Sequence, residues 1–208
     1  MLTIPRPMRR RVGGFTLVEL MVTLTLLAVL MALAMPAFSG WVRNSKLRTA
    51  GDALQNSLRL AQAEALRRNR QVVFTLTNDK VTADDFADQK AVANGNYWSL
   101  SAVAAYAGDA AEFIEGGVLN DVAEGVKITG PAAICFNAMG RMVLNNAPGL
   151  EGAECKLPTG TPAVQNYDIA FETPVTGEDR SYRVTVALGG QVRICDRDKT
   201  RSTNPDGC

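Results

Sequence analysis

Residues 15–35, FTLVELMVTLTLLAVLMALAM, form an apolar run of 21 residues that contains a single charge, Glu19. A helix of that length spans roughly 31 Å at about 1.5 Å per residue, close to the hydrocarbon thickness of a bilayer. Residues 1–14 contain four arginines and no acid, which is the flank expected on the cytoplasmic side of a membrane segment. The run predicts either a membrane anchor or a cleaved secretory signal, and in both cases the remaining chain is exported.

The secretory-signal alternative has a cleavage candidate in Ala32-Leu33-Ala34, a small-x-small pattern that would leave Met35 as the new N-terminus. Against it, the run is longer than the ~7–15 residues usual for the apolar core of a signal peptide, and it contains an acid. An acid inside a membrane is costly when charged and unpaired, so Glu19 is a candidate functional residue. Its partner could be a free α-amino group of a neighbouring chain, and the alternative is solvation at the interface.

The composition excludes several classes of protein. The 208 residues are 47% hydrophobic and 21% charged, which is ordinary for a globular chain, and the net charge of +1 argues against a bulk nucleic-acid binder. The absence of histidine removes Ser-His-Asp and Cys-His catalytic groups and imidazole metal ligands. The four cysteines have no C-x-x-C spacing, which argues against zinc-ribbon and thioredoxin sites. We predict no enzyme, no cofactor and no metal.

Residues 36–70 are predicted to continue the helix as an amphipathic segment. Pro36 ends the apolar run and is expected to kink or locally melt the helix. Beyond it, apolar residues recur at spacings of three and four: Leu47, Ala50, Leu54, Leu58, Ala61 and Ala65. We expect this stripe to lie on a sheet. The segment is rich in basic residues, which we interpret as a solvated face near anionic headgroups and not as a nucleic-acid site: Arg43, Lys46, Arg48, Arg59, Arg67, Arg68 and Arg70.

After residue 70 the hydrophobic period becomes two, since Val72, Phe74 and Leu76 alternate with polar positions, which predicts a strand. Further short strands are predicted at 126–129, 133–137, 141–144, 167–171, 182–187 and 191–195. The acidic stretch 79–124 is predicted to be irregular or mixed structure over the sheet. The fold class is therefore α+β, a long N-terminal helix packed on an antiparallel sheet, with residues 71–208 as a β-rich domain.

The start of the apolar run carries a family signature. Gly14-Phe15-Thr16-Leu17-Val18-Glu19-Leu20, after a short basic leader, resembles the class III signal of type IV pilins and type II secretion pseudopilins. The resemblance implies that a prepilin peptidase removes residues 1–14, cutting between Gly14 and Phe15, and methylates Phe15. It implies that residues 15–35 are a transmembrane and assembly helix, that Glu19 pairs with the Phe15 amine of a neighbour, and that Pro36 is the proline pilins commonly carry there.

The soluble part resembles GspH/FimT-type minor pilins and pseudopilins. The resemblance is carried by 61–69 running into Val72-Val73-Phe74, by 134–141 and by 189–195. It implies a minor pilin that primes or caps a type IV pilus, with a type II secretion minor pseudopilin as the alternative and a DNA-uptake pilin as a third. The implied partners are other minor and major pilins, the prepilin peptidase, the inner membrane and its assembly platform. The implied location is single-pass in the inner membrane, with the C-terminal domain in the periplasm, and then the pilus tip.

The C-terminal tail has two candidate ligands, DNA and calcium. Some members of this group bind DNA through Gly-Arg-x-Arg, but here the segment is Gly190-Gln191-Val192-Arg193, without the first arginine. DNA is therefore possible but not favoured, and interleaved aspartates oppose the candidate residues: Arg193, Arg197, Lys199 and Arg201. Residues 196–201 begin like a calcium loop, but Lys199 replaces an oxygen ligand and no glutamate follows at the twelfth position.

The cysteines fit an exported domain. Four cysteines permit three pairings, and sequence order favours Cys135 with Cys155 and Cys195 with Cys208. Each bond would contribute on the order of 3 kcal/mol in the chain-entropy model, and an oxidising periplasm would preserve both. The second bond is expected to hold the polar tail 196–207.

Overall fold

The computed structural model describes residues 14–106, 108–119 and 125–208, so the predicted leader lies outside the described residues except for Gly14. The described chain contains one α-helix, nine β-strands and a short 3-10 helix at Phe86–Asp88. It divides into two units, with the boundary between Gly40 and Trp41. The long helix contributes its first part to one unit and its second part to the other.

Helix α1 spans Leu17–Arg68. It begins after Thr16, whose Oγ1 accepts a hydrogen bond from the Glu19 backbone N–H at 3.2 Å, the bond that an N-cap threonine makes. Helical backbone continues through position 36, so the local melting considered for Pro36 does not occur. A proline removes one helical hydrogen bond, and a helix of this length retains its many others.

The second part of α1 forms one wall of the main core. The six residues of the predicted stripe, from Leu47 to Ala65, are each at most 1% exposed. They pack with inward residues of both sheets, among them Phe74, Ile128 and Val184. The expectation that this helix lies on a sheet is confirmed.

The strands form two antiparallel sheets, where the sequence predicted one. One sheet has the order β3-β2-β1-β5-β6 and the other β4-β7-β8-β9. Their bounds are β1 Val72–Thr77, β2 Tyr97–Ala102, β3 Glu112–Val118, β4 Val126–Thr129, β5 Ala133–Phe136, β6 Met142–Val143, β7 Val164–Phe171, β8 Tyr182–Ala187 and β9 Val192–Asp196.

The acidic stretch 79–124 is more regular than predicted, because it contributes β2 and β3 to the first sheet. In β2, Trp98, Leu100 and Ala102 contact the main core, while Ser99 and Ser101 are buried on the opposite face. The serines weaken the strand propensity of this segment. The alternation of Trp98, Leu100 and Ala102 with polar residues is nevertheless a signal that could have indicated strand β2. In β3 the adjacent glycines Gly116 and Gly117 carry no side chains, so they interrupt the alternation of apolar and polar residues that would indicate a strand.

The first sheet is covered on both faces. The face opposite α1 carries a second core, into which the Cys135–Cys155 bond is built. As a result β1 is buried along its whole length. The second core consists of Val73, Val81, Phe86, Ala91, Ala133, Cys135, Leu150, Ala153 and Cys155.

The two sheets meet at a pair of glycine turns. The Met142 N–H donates to the Leu188 carbonyl at 3.1 Å, and Gln62 Nε2 donates to the Gly140 carbonyl at 2.9 Å. Gly190 has φ +89°, and a Cβ at this position would overlap the Gly140 carbonyl oxygen. Glycine is therefore required at position 190 by both backbone conformation and space.

Candidate functional site

The predicted cleavage point lies immediately before α1. Gly14 and Phe15 are outside regular secondary structure, and the Phe15 side chain is 81% exposed. Apart from its chain neighbours, no heavy atom of the described residues lies within 4 Å of the position that a Cβ on Gly14 would occupy. The predicted cleavage point therefore lies outside the helix.

Glu19 lies in the first turn of α1, three residues after the capping Thr16. It is the single charge in the candidate membrane span Leu17–Met35, the stretch of the described chain that is long and apolar enough to cross a bilayer. Its side chain is exposed and forms no ion pair with a described residue. Pro36, the other predicted assembly residue, lies within the same helix.

The helix is tied to the β7–β8 loop near the start of the second unit. Arg43 donates to Asp179 from Nε at 2.8 Å and from Nη2 at 2.5 Å, and its guanidinium lies 4.1 Å from the centre of the Phe171 ring. The hydrogen bond from Arg43 lowers the pKa of Asp179. Asn44 donates to the Glu178 carbonyl and accepts from the Arg180 N–H, both at 2.8 Å.

The far end of α1 is tied to β3 by a second ion cluster. Glu64 accepts from Arg67 at 2.6 Å and from Arg68 at 2.9 Å, and Arg68 also donates to Glu112 at 2.7 Å. Hydrogen bonds from the two arginines lower the pKa of Glu64 to about 2. The interpretation of the basic residues as a solvated face is therefore wrong for Arg43 and Arg68, because acids from distant strands and loops neutralise them.

Two disulfide bonds are present, Cys135–Cys155 and Cys195–Cys208. The second closes the tail onto the end of β9. There the Asp196 N–H donates to the Asp206 carbonyl at 2.8 Å, and the Cys208 N–H donates to the Asp196 carbonyl at 3.1 Å. The tail is thus fixed by backbone hydrogen bonds as well as by the bond between its ends.

The candidate DNA-binding residues are mostly engaged within the domain. Arg193 donates to the Pro205 carbonyl at 2.6 Å, Arg197 lies 3.4 Å from Asp168, and Lys199 lies 3.1 Å from Asp206. Arg201 is exposed. The structure does not gather these four cations into one open basic surface. Over the described residues, no group of three or more acidic or cysteine side chains could hold a metal ion.

Comparisons with known proteins place these features in a family. The prokaryotic N-terminal methylation motif matches residues 9–35, and type II transport protein GspH matches residues 50–190. The minor pilin FimU of Pseudomonas aeruginosa is similar in two crystal forms. One is 14% identical and covers 74% of this chain and 91% of its own, with a TM-score of 0.45. The other is 13% identical, and the match covers 71% of this chain and 90% of the FimU chain, with a TM-score of 0.41.

No curated protein sequence matches the chain significantly. The GspH match spans more than half of the chain, and the methylation motif covers the start of α1 with Gly14, Phe15 and Glu19. The chain therefore belongs to the GspH/FimT-type family of minor pilins and pseudopilins.

Proposed function

We propose that this chain is a minor pilin that primes or caps a type IV pilus. The observation that carries the proposal is the assembly helix itself. An exposed apolar span begins two residues after the predicted cleavage point, contains one acid that pairs with no described residue, and continues into a folded domain. Such a helix needs either lipid or other helices around it, and a filament subunit meets both in turn.

Processing and location follow from this role. A prepilin peptidase cuts between Gly14 and Phe15 and methylates Phe15. Residues 15–35 then hold the subunit in the inner membrane, with the disulfide-bonded domain in the periplasm, until the assembly platform moves it into the pilus, at the tip. Loss of the four leader arginines leaves 18 basic against 21 acidic residues, a net charge of about −3.

Processing is tested by N-terminal sequencing and intact-mass measurement of the protein from its native membrane. We expect a start at methylated Phe15. A start at Met35 would indicate an ordinary secretory signal and would contradict a filament role.

A type II secretion minor pseudopilin is the second candidate, and the matched family's description as a type II transport protein favours it. Deleting the gene and scoring surface pili, protein secretion and transformation in the same strain separates the candidates. Loss of pili alone supports the minor pilin, and loss of secretion alone supports the pseudopilin. A defect confined to transformation would instead indicate the DNA-uptake role.

A further inference from the structure

Two adjoining cavities lie at the end of the second unit where α1 enters it. The larger, about 320 Å³, and the smaller, about 70 Å³, share three lining residues, Arg48, Arg180 and Tyr182. The larger is completed by Trp41, Asn44 and Ser45 of α1, and the smaller by Ile194, Cys195, Asp196 and Asp206.

The shared residues have hydrogen-bonding capacity that the described protein does not use. The nearest carboxylate oxygens lie 3.9 Å from Arg48 and 3.9 Å from Arg180, beyond hydrogen-bond distance. Arg43, one turn before, is by contrast fully engaged with Asp179. Tyr182 is only 7% exposed, yet its hydroxyl bonds to no other described residue. Three donors thus converge on one space.

Carboxylates line the smaller cavity. Asp196 is 4% exposed, and its Oδ2 has cations only at 3.9 Å and 3.8 Å, from Arg180 and Lys199. Asp206 lies beside it and is more open, with Lys199 at 3.1 Å. Asp196 Oδ1 accepts a hydrogen bond from the Asp198 N–H at 3.0 Å, but neither cation near Oδ2 lies within hydrogen-bond distance, so Oδ2 can accept from a further cationic group. The cavities therefore offer donors for an anion next to acceptors for a cation.

We propose that these cavities bind the headgroup of a zwitterionic phospholipid that carries a phosphate and a primary ammonium, as in phosphatidylethanolamine. Arg48, Arg180 and the Tyr182 hydroxyl hold the phosphate, and Asp196 and Asp206 hold the ammonium. Guanidinium groups suit phosphate oxygens, and an ammonium with three N–H donors suits paired carboxylates.

The position along the chain fits this ligand. Trp41 follows Met35, the end of the candidate span, by six residues, which is less than two turns of the same helix. Tryptophan is also enriched at the level of lipid headgroups. This inference rests on the proposed membrane location and adds to it a contact that holds the domain to the bilayer surface before assembly.

The test uses the full-length processed protein in detergent, with native mass spectrometry after addition of phosphatidylethanolamine, phosphatidylcholine or phosphatidylglycerol. We expect phosphatidylethanolamine adducts to exceed the other two at least threefold. The double variant Arg48→Gln/Arg180→Gln should lose at least two thirds of them. Arg141→Gln, an exposed arginine at the β5–β6 turn, should keep them. Asp206→Asn, which leaves the arginines intact, should reduce phosphatidylethanolamine adducts and not those of phosphatidylglycerol.

Three outcomes would overturn the proposal. The first is equal phosphatidylethanolamine adducts in the wild type and in a double variant with the same melting temperature. The others are phosphatidylcholine adducts as abundant as those of phosphatidylethanolamine, or full displacement of the lipid by inorganic phosphate. Because lipid adducts are measured without filament assembly, their failure would leave the pilus and secretion phenotypes as a separate test of the proposed function.

Discussion

At the scale of one residue, Glu19 is the single charge in the candidate membrane span and the proposed assembly contact. If its carboxylate pairs with the Phe15 amine of a neighbour, Glu19→Leu should insert and be processed normally, yet fail to recruit other subunits. Glu19→Gln should be nearly as defective, because an amide keeps the shape but loses a charge attraction that is strong in low dielectric. The measurement is co-purification of partner pilins from membranes at equal expression.

Thr23→Val is the matched control, because Thr23 lies one turn later in the same span and bonds only to the Leu20 carbonyl of its own helix. It should leave co-purification unchanged. Normal recovery of partners with Glu19→Leu would show that the acid is merely tolerated.

Gly190 provides a stability prediction with a neighbouring control. Gly190→Ala should destabilise the domain by about 2–4 kcal/mol, because alanine is strained at φ +89° and its Cβ meets the Gly140 carbonyl. Gly189→Ala meets no atom within 4 Å and should change stability by less than about 1 kcal/mol. Urea unfolding of both variants checks this. Equal midpoints would mean that the two turns do not touch in solution.

Tyr167 gives a prediction for alkaline pH. It is fully buried, its hydroxyl has no partner among the described residues, and burial raises its pKa. Because the raised pKa favours the neutral folded form, stability falls as pH rises above about 10, by up to about 1.4 kcal/mol per unit. Tyr167→Phe should be at least as stable as wild type at neutral pH and should lose less stability near pH 11.

Tyr106→Phe, at an exposed position, is the comparison for that experiment. It should retain the full alkaline loss of stability, measured by urea unfolding at each pH. If Tyr167→Phe loses as much stability as Tyr106→Phe, the Tyr167 hydroxyl is not sealed from water.

At the scale of elements, local patterns were predictable and pairings were not. The stripe from Leu47 to Ala65 follows helical period and needs no knowledge of its partner. The division into two sheets depends on contacts such as that of Gly140 with Gly190, fifty positions away, which no local pattern encodes. In the same way, the sequence shows that Arg43 is basic but does not show its ion-pair partner. That partner is Asp179, which lies in a loop 136 residues later.

The ion cluster between α1 and β3 predicts an acid-sensitive contact. The pKa of Glu64 is lowered to about 2 in the folded protein. Its contribution to the free energy of unfolding is therefore present above about pH 4.5 and is lost as pH falls toward 2. Glu64→Gln should lower the free energy of unfolding by about 1–2 kcal/mol at neutral pH. This is less than the pKa shift alone implies, because Arg67 is exposed and solvent screens its charge.

The difference between wild type and Glu64→Gln should vanish near pH 2, as followed by urea unfolding at several pH values. Glu115→Gln is the control, because Glu115 is exposed and forms no ion pair within the described chain. A constant difference across pH would mean that packing, and not charge, accounts for the effect of Glu64.

At the scale of the whole molecule, charge argues against nucleic-acid binding. The processed chain would carry about −3, and three of the four candidate cations in its tail have partners within the domain. We expect no duplex DNA binding by fluorescence anisotropy at about 10 μM protein and about 100 mM salt. Salt-dependent binding that weakens in Arg201→Gln would restore the DNA-uptake role. Arg141→Gln serves as the control.

The Thr16 cap lies next to the position where the proposed processing would leave a new charge. Because α1 begins at Leu17, a cut before Phe15 breaks no helical hydrogen bond and sets the α-amino group one residue ahead of the cap. That is the positive end of the helix macrodipole, where a cation is disfavoured by about 0.3–1 kcal/mol. If the proposed cleavage takes place, it creates a cation at the unfavourable end of its own helix, and pairing with the carboxylate of another chain would offset that cost.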